Sequence, residues 1–277
     1  MSMHEYNSLC LELSTIVTHR YSTSFTRGIK TLNKRFQEPI YAIYGFVRLA
    51  DEIVDTFHDF DKRSLFENFR NETWSALDSG ISTNPVLHSF QLIANKYCIE
   101  KELTEAFLYS MEMDLEERVY DDAFYKKYIF GSAEVVGLMC LRIFCEGDQK
   151  LYNNLVEPAR RLGAAFQKVN FLRDLKSDFH ERGRVYFPGI DFSQFNNELK
   201  KKIEEDIDKD FRAAYPGMMQ LPKDVRPGVY TAFMYYRELL KKIQKVPAGQ
   251  VMQMRIRVPD FEKFILLMRT YSKFGIF

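Results

Sequence analysis

Two short runs of this sequence place oxygen-bearing side chains at helical spacing. Gln167, Asn170, Asp174 and Asp178 fall at i, i+3, i+7 and i+11, which on a helix sets all four along one narrow stripe. Tyr41, Tyr44, Arg48, Asp51, Glu52 and Asp55 line up along a second run in the same way. Like charges four apart repel on a helix, and aspartate is a mediocre helix former, so each stripe calls for something positive beside it. The bland answer is a surface ion pair with Arg48 or Lys176. The chemical answer is a hard cation: the ligands are all oxygen, and Mg²⁺ binds through one or two carboxylates plus substrate phosphates. Neither stripe contains His or Cys, which disfavours zinc.

The elements that must carry these stripes read as helices. Around Asp51 and Asp55 stand Ile43, Phe46, Val47, Leu49, Ala50, Ile53 and Val54, so this helix is apolar almost all round and its one polar stripe should face a cavity or cleft. Helical patterns recur at 9–17, 40–57, 62–77, 85–97, 102–113, 123–146, 151–179, 198–211, 229–245 and 261–273. The 198–211 stretch alternates lysines with acids and is expected to be a solvated helix. Gly131 and Gly137 interrupt an apolar helical run, which points to close packing or ligand access there. Residues 181–197 read as a loop-like connector. Period-two alternation, internal repeats and hairpin signals are not found, so the expected architecture is one all-α domain spanning residues 1–277.

Composition narrows the field further. The 277 residues are 46% hydrophobic and 15% aromatic, with 24 Phe and 16 Tyr, enough large rings for a big core or an apolar cavity. A net charge of +1 with intermixed signs lacks the basic face of a nucleic-acid binder. Cys10, Cys98, Cys140 and Cys145 form no C-x-x-C pair and are expected as reduced core residues of a cytoplasmic protein. Met1 to Glu5 shows no basic stretch leading into an apolar block, and no eighteen apolar residues run together, so neither a signal peptide nor a spanning helix is expected.

The chain resembles the squalene/phytoene synthase family of head-to-head prenyl diphosphate condensing enzymes. The residues that carry the likeness are Ser22-Thr23-Ser24-Phe25, Arg48 through Asp55, Tyr128 with Ala133 and Val136-Gly137, Leu162 through Asp178, and Gly183-Arg184-Val185-Tyr186-Phe187-Pro188. The resemblance implies an isoprenoid-synthase-type helical bundle around a deep apolar cavity. It also implies that Asp51, Asp55, Asp174 and Asp178, supported by Gln167 and with Asn170 as a further ligand, hold two or three Mg²⁺ ions with the substrate diphosphates. Arg48, Ser22 and Ser24 resemble diphosphate-contacting positions, Arg184 and Arg255 are further candidates for the same role, and Tyr128 belongs to the catalytic set that the resemblance implies.

The reaction so implied joins two prenyl diphosphates through a cyclopropylcarbinyl diphosphate, with phytoene from two geranylgeranyl diphosphates as the expected product. Squalene or dehydrosqualene from farnesyl diphosphate is the alternative, and NADPH is needed only for squalene. A head-to-tail elongating synthase would carry Asp-Asp-x-x-Asp where this chain has Asp51-Glu52-x-x-Asp55, and a catalytically silent relative would be expected to lack metal carboxylates. Two departures from the family pattern stand out: Glu134 replaces a small residue and is expected to point outward, and Tyr21 stands where some relatives have histidine. A hydrocarbon product suggests peripheral contact at the inner membrane face. The tail 261–277 could supply it, although core packing is the expected role of its Phe and Leu residues.

Overall fold

The computed structural model describes residues 2–116, 121–180, 186–188 and 195–276, and among them there are helices and no strand. In chain order these are α1 (Met3–Tyr21), α2 (Thr23–Lys30), α3 (Lys34–Asp55), α4 (Lys62–Ser79), α5 (Pro85–Lys96), α6 (Lys101–Met113) and α7 (Asp122–Ile129). A π-helical turn, Phe130–Glu134, leads into α8 (Val135–Cys145), followed by α9 (Gln149–His180), α10 (Asn197–Met218), α11 (Arg226–Gln244), α12 (Ala248–Val251) and α13 (Asp260–Phe274). Local chemistry sets the boundaries. Ser22 is the N-cap of α2 and accepts from the Phe25 amide at 3.1 Å, Asp61 and Asn84 cap α4 and α5, and Gly80 closes α4 at φ 73°.

One continuous buried cluster reaches from Ile29 to Val258. Its centre is aromatic: Phe46 of α3 stacks on Phe90 of α5 at 3.9 Å and meets Phe107 of α6 at 5.2 Å. All three are fully buried, which fixes α3 as an interior helix with its polar stripe turned toward a cleft. Helix α9 is the second interior column and packs against α8, α10, α11 and the π-helical turn.

The glycines expected to mark close packing do so at the π-helical turn. A Cβ on Gly131 would collide with the Ala106 carbonyl oxygen and lie 2.6 Å from Ser110 Cβ, so α6 and the turn touch backbone to backbone. A Cβ on Gly163 would come within 2.6 Å of the Ala133 carbonyl oxygen, pressing α9 onto the same turn. Gly137 does both: a Cβ there would lie 3.2 Å from the Ala159 carbonyl oxygen of α9, and the residue lines an apolar cavity.

Three expectations need correction. Helix α10 is solvated on one face only: Lys201, Lys202 and Glu205 are exposed, while Ile203, Ile207, Phe211, Ala214 and Met218 bury a stripe against α9, and Lys200, Glu204 and Asp210 are buried with it. Lys168 of α9 is held at 2.7 Å by Asp210 and closely by Asp206, and Lys200 pairs with Glu204. Cys98 is exposed at φ 51°, just past α5, whereas Cys10 and Cys145 are buried and Cys140 faces the cavity. In α13 only Leu266 and Thr270 are buried, while Phe261 and Phe264 are 73% and 55% exposed. The sequence pattern also passed over α2 and α12. The continuous stretch Asp122–Cys145 is long and apolar enough to cross a membrane by length and composition, but it packs against α6 and α9 within the bundle.

Gly131→Ala is expected to cost about 2 kcal/mol through overpacking against α6, whereas Gly249→Ala, with open space around its Cβ, should stay within about 0.5 kcal/mol of wild type. Urea unfolding of the two variants tests this, and equal midpoints would contradict it.

Candidate active site

The two acidic stripes meet. Asp51 and Asp55 of α3, and Asp174 and Asp178 of α9, line one polar chamber of about 870 Å³, together with Ser22, Ser24, Arg48, Tyr128, Gln167, Asn170 and Arg255. Beneath it lies an apolar cavity of about 330 Å³, floored by residues such as Leu141, Phe144, Leu155 and Leu221. Phe25, Tyr44, Gln167, Asn170 and Tyr236 border both spaces and form a waist between them. Of the residues expected from sequence, only Arg184 is not placed here, because it lies outside the described residues, as do Gly183 and Val185.

The stripes are positioned by burial of everything around them. Ile53 and Val54 are buried beside Asp51 and Asp55, and Leu172 and Leu175 are buried beside Asp174, so each helix turns its polar stripe, acids included, toward the chamber. Asp178 is 6% exposed, Asp174 is part-buried, and Asp51 is more open.

Arginines supply the positive charge that the spacing called for. Arg48 reaches both Asp51 and Glu52, one turn on, and its guanidinium sits 4.3 Å above the Tyr21 ring, so tyrosine at that position covers the arginine. Arg173 grips Asp174 through Nε at 3.0 Å and more closely through a terminal nitrogen, and Arg255 Nε reaches the same carboxylate at 2.8 Å. Burial lowers the Arg173 pKa, but the hydrogen bonds and charge of Asp174 more than reverse this and hold the guanidinium charged. The sequence reading missed Arg173, which stood unmarked inside the second stripe, and also Arg257, Lys263 and Tyr235, which line the chamber from α11 and the segment before and into α13. An arginine directly preceding a stripe aspartate is the one signal that could have drawn attention to the first of these.

At the waist, Tyr236 donates to Asn170 Oδ1 at 3.3 Å, Asn170 Nδ2 donates to Gln167 Oε1 at 3.4 Å, and Phe166 stacks on Tyr236 at 4.1 Å. Burial pushes Tyr44 up to about 12, against the opposing pull of Ser22 and Arg48, and burial raises Tyr236 as well. Both phenols are therefore neutral at physiological pH.

Among the described residues no three of His, Cys, Asp and Glu come close enough together to hold a metal ion by themselves. The carboxylate pairs Asp51/Asp55 and Asp174/Asp178, with the amide oxygens of Gln167 and Asn170 in the same chamber, are an all-oxygen donor set of the kind that suits a hard cation. Arg48 Nε is buried without a hydrogen-bond partner among the described residues, a donor suited to an incoming anion.

A helical bundle whose two part-buried acidic stripes and their arginines cap an apolar cavity belongs to the isoprenoid-synthase class. The chain is a member of the squalene/phytoene synthase family, whose model matches residues 18–262, and it is a prenyltransferase of the head-to-head condensing type. It is similar to the phytoene synthase of Arthrospira platensis, with 26% identity covering 92% of this chain and 90% of the relative. It is 27% identical to the 15-cis-phytoene synthase of Synechococcus elongatus, covering 91% and 89%. Among solved structures, a dehydrosqualene synthase in complex with ligand superposes with a TM-score of 0.83 over 99% of both chains at 20% identity, a likeness that establishes the fold. Members of the family typically use a divalent metal ion.

Glu134 lines neither the cavity nor the chamber, but it does not stand out in solvent as expected: its side chain is largely covered and pairs with Arg160 at 2.7 Å. Burial raises its carboxyl pKa and Arg160 only partly offsets this, so the native state binds more protons than the unfolded chain just above pH 4.5. Stability contributed by this group therefore falls as pH rises through that interval. Denaturation of wild type and Glu134→Gln from pH 4 to 8 should show the variant gaining on wild type as pH rises, and parallel profiles would refute the sign.

Proposed function

We propose that this chain joins two geranylgeranyl diphosphates head to head to form phytoene. One observation carries the reading. A charged chamber and an apolar cavity adjoin at an aromatic waist, so a diphosphate head and a prenyl tail each find matching surroundings. The phytoene synthases to which the chain is similar over nearly its full length support the product.

Ionisation of an allylic diphosphate breaks the C1–O bond and leaves the bonding pair on the departing oxygens. Arg48, Arg173 and Arg255 meet that charge, with the Ser22 and Ser24 hydroxyls as further donors. Asp51, Asp55, Asp174 and Asp178, with Asn170, would hold Mg²⁺, which when bound supplies Lewis-acid neutralisation of the diphosphates. Every arginine named here already faces an aspartate, so the chamber is near charge balance before an anion enters.

The allylic cation must be kept from water, which would quench it. Phe25, Tyr44 and Tyr236 close the waist with ring faces that attract positive charge, and because both phenols are neutral neither offers a phenolate to trap it. The double bond of the second substrate captures the cation, a proton is lost, and a cyclopropylcarbinyl diphosphate forms. Its ionisation and rearrangement join the two C1 carbons, and loss of a further proton gives phytoene.

Purified protein with Mg²⁺ should convert geranylgeranyl diphosphate to phytoene without NADPH, and EDTA should stop turnover until Mg²⁺ is restored. Asp51→Asn or Asp174→Asn should lower kcat by roughly a thousandfold. Dehydrosqualene from farnesyl diphosphate, or squalene when NADPH is added, with geranylgeranyl diphosphate left untouched, would overturn the chain length.

A hydrocarbon product has no place in water. Phe261, Phe264, Ile265 and Met268 lie at i, i+3, i+4 and i+7 on the exposed and half-exposed side of α13, with Arg269 and Lys273 adjoining. We propose peripheral contact of a cytoplasmic protein with the inner membrane face through this stripe. Co-sedimentation with anionic vesicles should fall about fivefold in Phe261→Ser/Phe264→Ser while turnover in detergent persists, and undiminished binding would sink the idea.

A further inference from the structure

Asp114 ends α6 at the wall of the chamber, and it is buried, with 6% of its surface exposed. Each carboxylate oxygen accepts a phenolic hydrogen bond: Tyr128 of α7 donates to Oδ2 at 2.6 Å, and Tyr186 donates to Oδ1 at 3.2 Å. The two phenolic oxygens are 3.5 Å apart. Phe171 braces the pair, stacking on Tyr186 at 4.2 Å, and it stands one turn ahead of Asp174 on α9. Asp114 therefore ties the end of α6, Tyr128 of α7 and Tyr186 to the second acidic stripe.

A carboxylate this buried is costly beside other acids unless its lone pairs are filled, and here phenols fill both oxygens. The consequence falls on the phenols. A hydroxyl has one proton, so a tyrosine that donates to Asp114 turns lone pairs toward its remaining surroundings. A charge-assisted bond to a carboxylate also enriches the phenolic oxygen. Without Asp114, either hydroxyl could swing and donate to a diphosphate in the same chamber.

We propose that Asp114 is a positioning residue of the condensation: it holds the protons of Tyr128 and Tyr186 so that both oxygens face the carbocation as acceptors. This rests on the condensation assigned above. Asp114→Asn preserves shape but must donate from its amide to one of the two phenols, which reverses the direction of that hydrogen bond.

The test compares wild type, Asp114→Asn, Asp114→Glu, Tyr128→Phe and the double variant Asp114→Asn/Tyr128→Phe, with Mg²⁺ and whichever prenyl diphosphate wild type couples. Diphosphate release, cyclopropylcarbinyl diphosphate and hydrocarbon are followed, alongside affinity for a non-ionising thiodiphosphate analogue and thermal melting by circular dichroism. Asp114→Asn and Tyr128→Phe should each lower kcat about thirtyfold with analogue affinity within about threefold of wild type. Asp114→Glu should recover part of the loss, and the double variant should be no worse than the worse single one, because Asp114 acts through the phenol.

Wild-type kcat in Asp114→Asn, losses that multiply in the double variant, or a loss that merely follows analogue affinity would overturn the proposal. If Asp114→Asn is unfolded at the assay temperature, Tyr128→Phe/Tyr186→Phe with Asp114 intact decides: about a thirtyfold loss of kcat with retained analogue binding supports it, and undiminished kcat overturns it. A wild type that couples no prenyl diphosphate would overturn the condensation and this inference with it. A wild type that couples while Asp114→Asn keeps pace overturns only the role of Asp114.

Discussion

Four aspartates on two interior helices turn into one chamber, and the rest of the molecule is arranged around the repulsion this creates. Two carboxylates about 6 Å apart on one helix oppose each other by about 3 kcal/mol at an effective dielectric near 20. Arg48 answers on α3, where it bridges Asp51 and Glu52, and Arg173 and Arg255 answer on the α9 side through Asp174. The same guanidiniums are the natural partners of a diphosphate. An arrangement that balances the clustered carboxylates thus also makes the chamber a receptor for anions accompanied by cations.

Below the chamber the physics changes abruptly. The waist of Phe25, Tyr44 and Tyr236 separates charged from apolar space, and its phenols are held neutral by their own burial. Such a boundary suits a reaction that needs charge to pull diphosphate away and dryness to keep the resulting cation alive. Two glycines line the cavity wall where helices meet: Gly163 of α9 lies against the Ala133 carbonyl of the π-helical turn and Gly137 of α8 against the Ala159 carbonyl of α9, so bare backbone lets these elements close around the space without side chains filling it.

Helix α13 shows how one element serves two surroundings. Its N-terminal end is stitched to α2 by Arg27 with Asp260 and by Lys263 with Thr23, at the rim of the chamber. Leu266 and Thr270 anchor it to the bundle, while Phe261 and Phe264 stay outside. Two stripes of opposite environment on one helix are hard to separate by composition, which is why the tail read as core.

The sequence alone determined the helical class, the two acidic stripes and their oxygen-only chemistry, because a 3.6-residue period fixes which side chains share a face whatever the helix packs against. Asp51 with Asp55, and Gln167, Asn170, Asp174 and Asp178 together, were legible in this way as two separate stripes; that the stripes share one site was implied by the family resemblance and follows from the tertiary contacts. Only tertiary structure decided that α10 is half buried, that Arg173 faces inward, that Phe264 faces out, and that Asp114, Tyr128 and Tyr186 meet. Those facts depend on contacts between segments far apart in the chain, such as the 72 residues from Asp114 to Tyr186, and no local period encodes which distant side chain lies opposite. The acidic stripe on α9 began as two aspartates repelling along a helix, and the fold supplied the arginines and the facing stripe that make that repulsion useful.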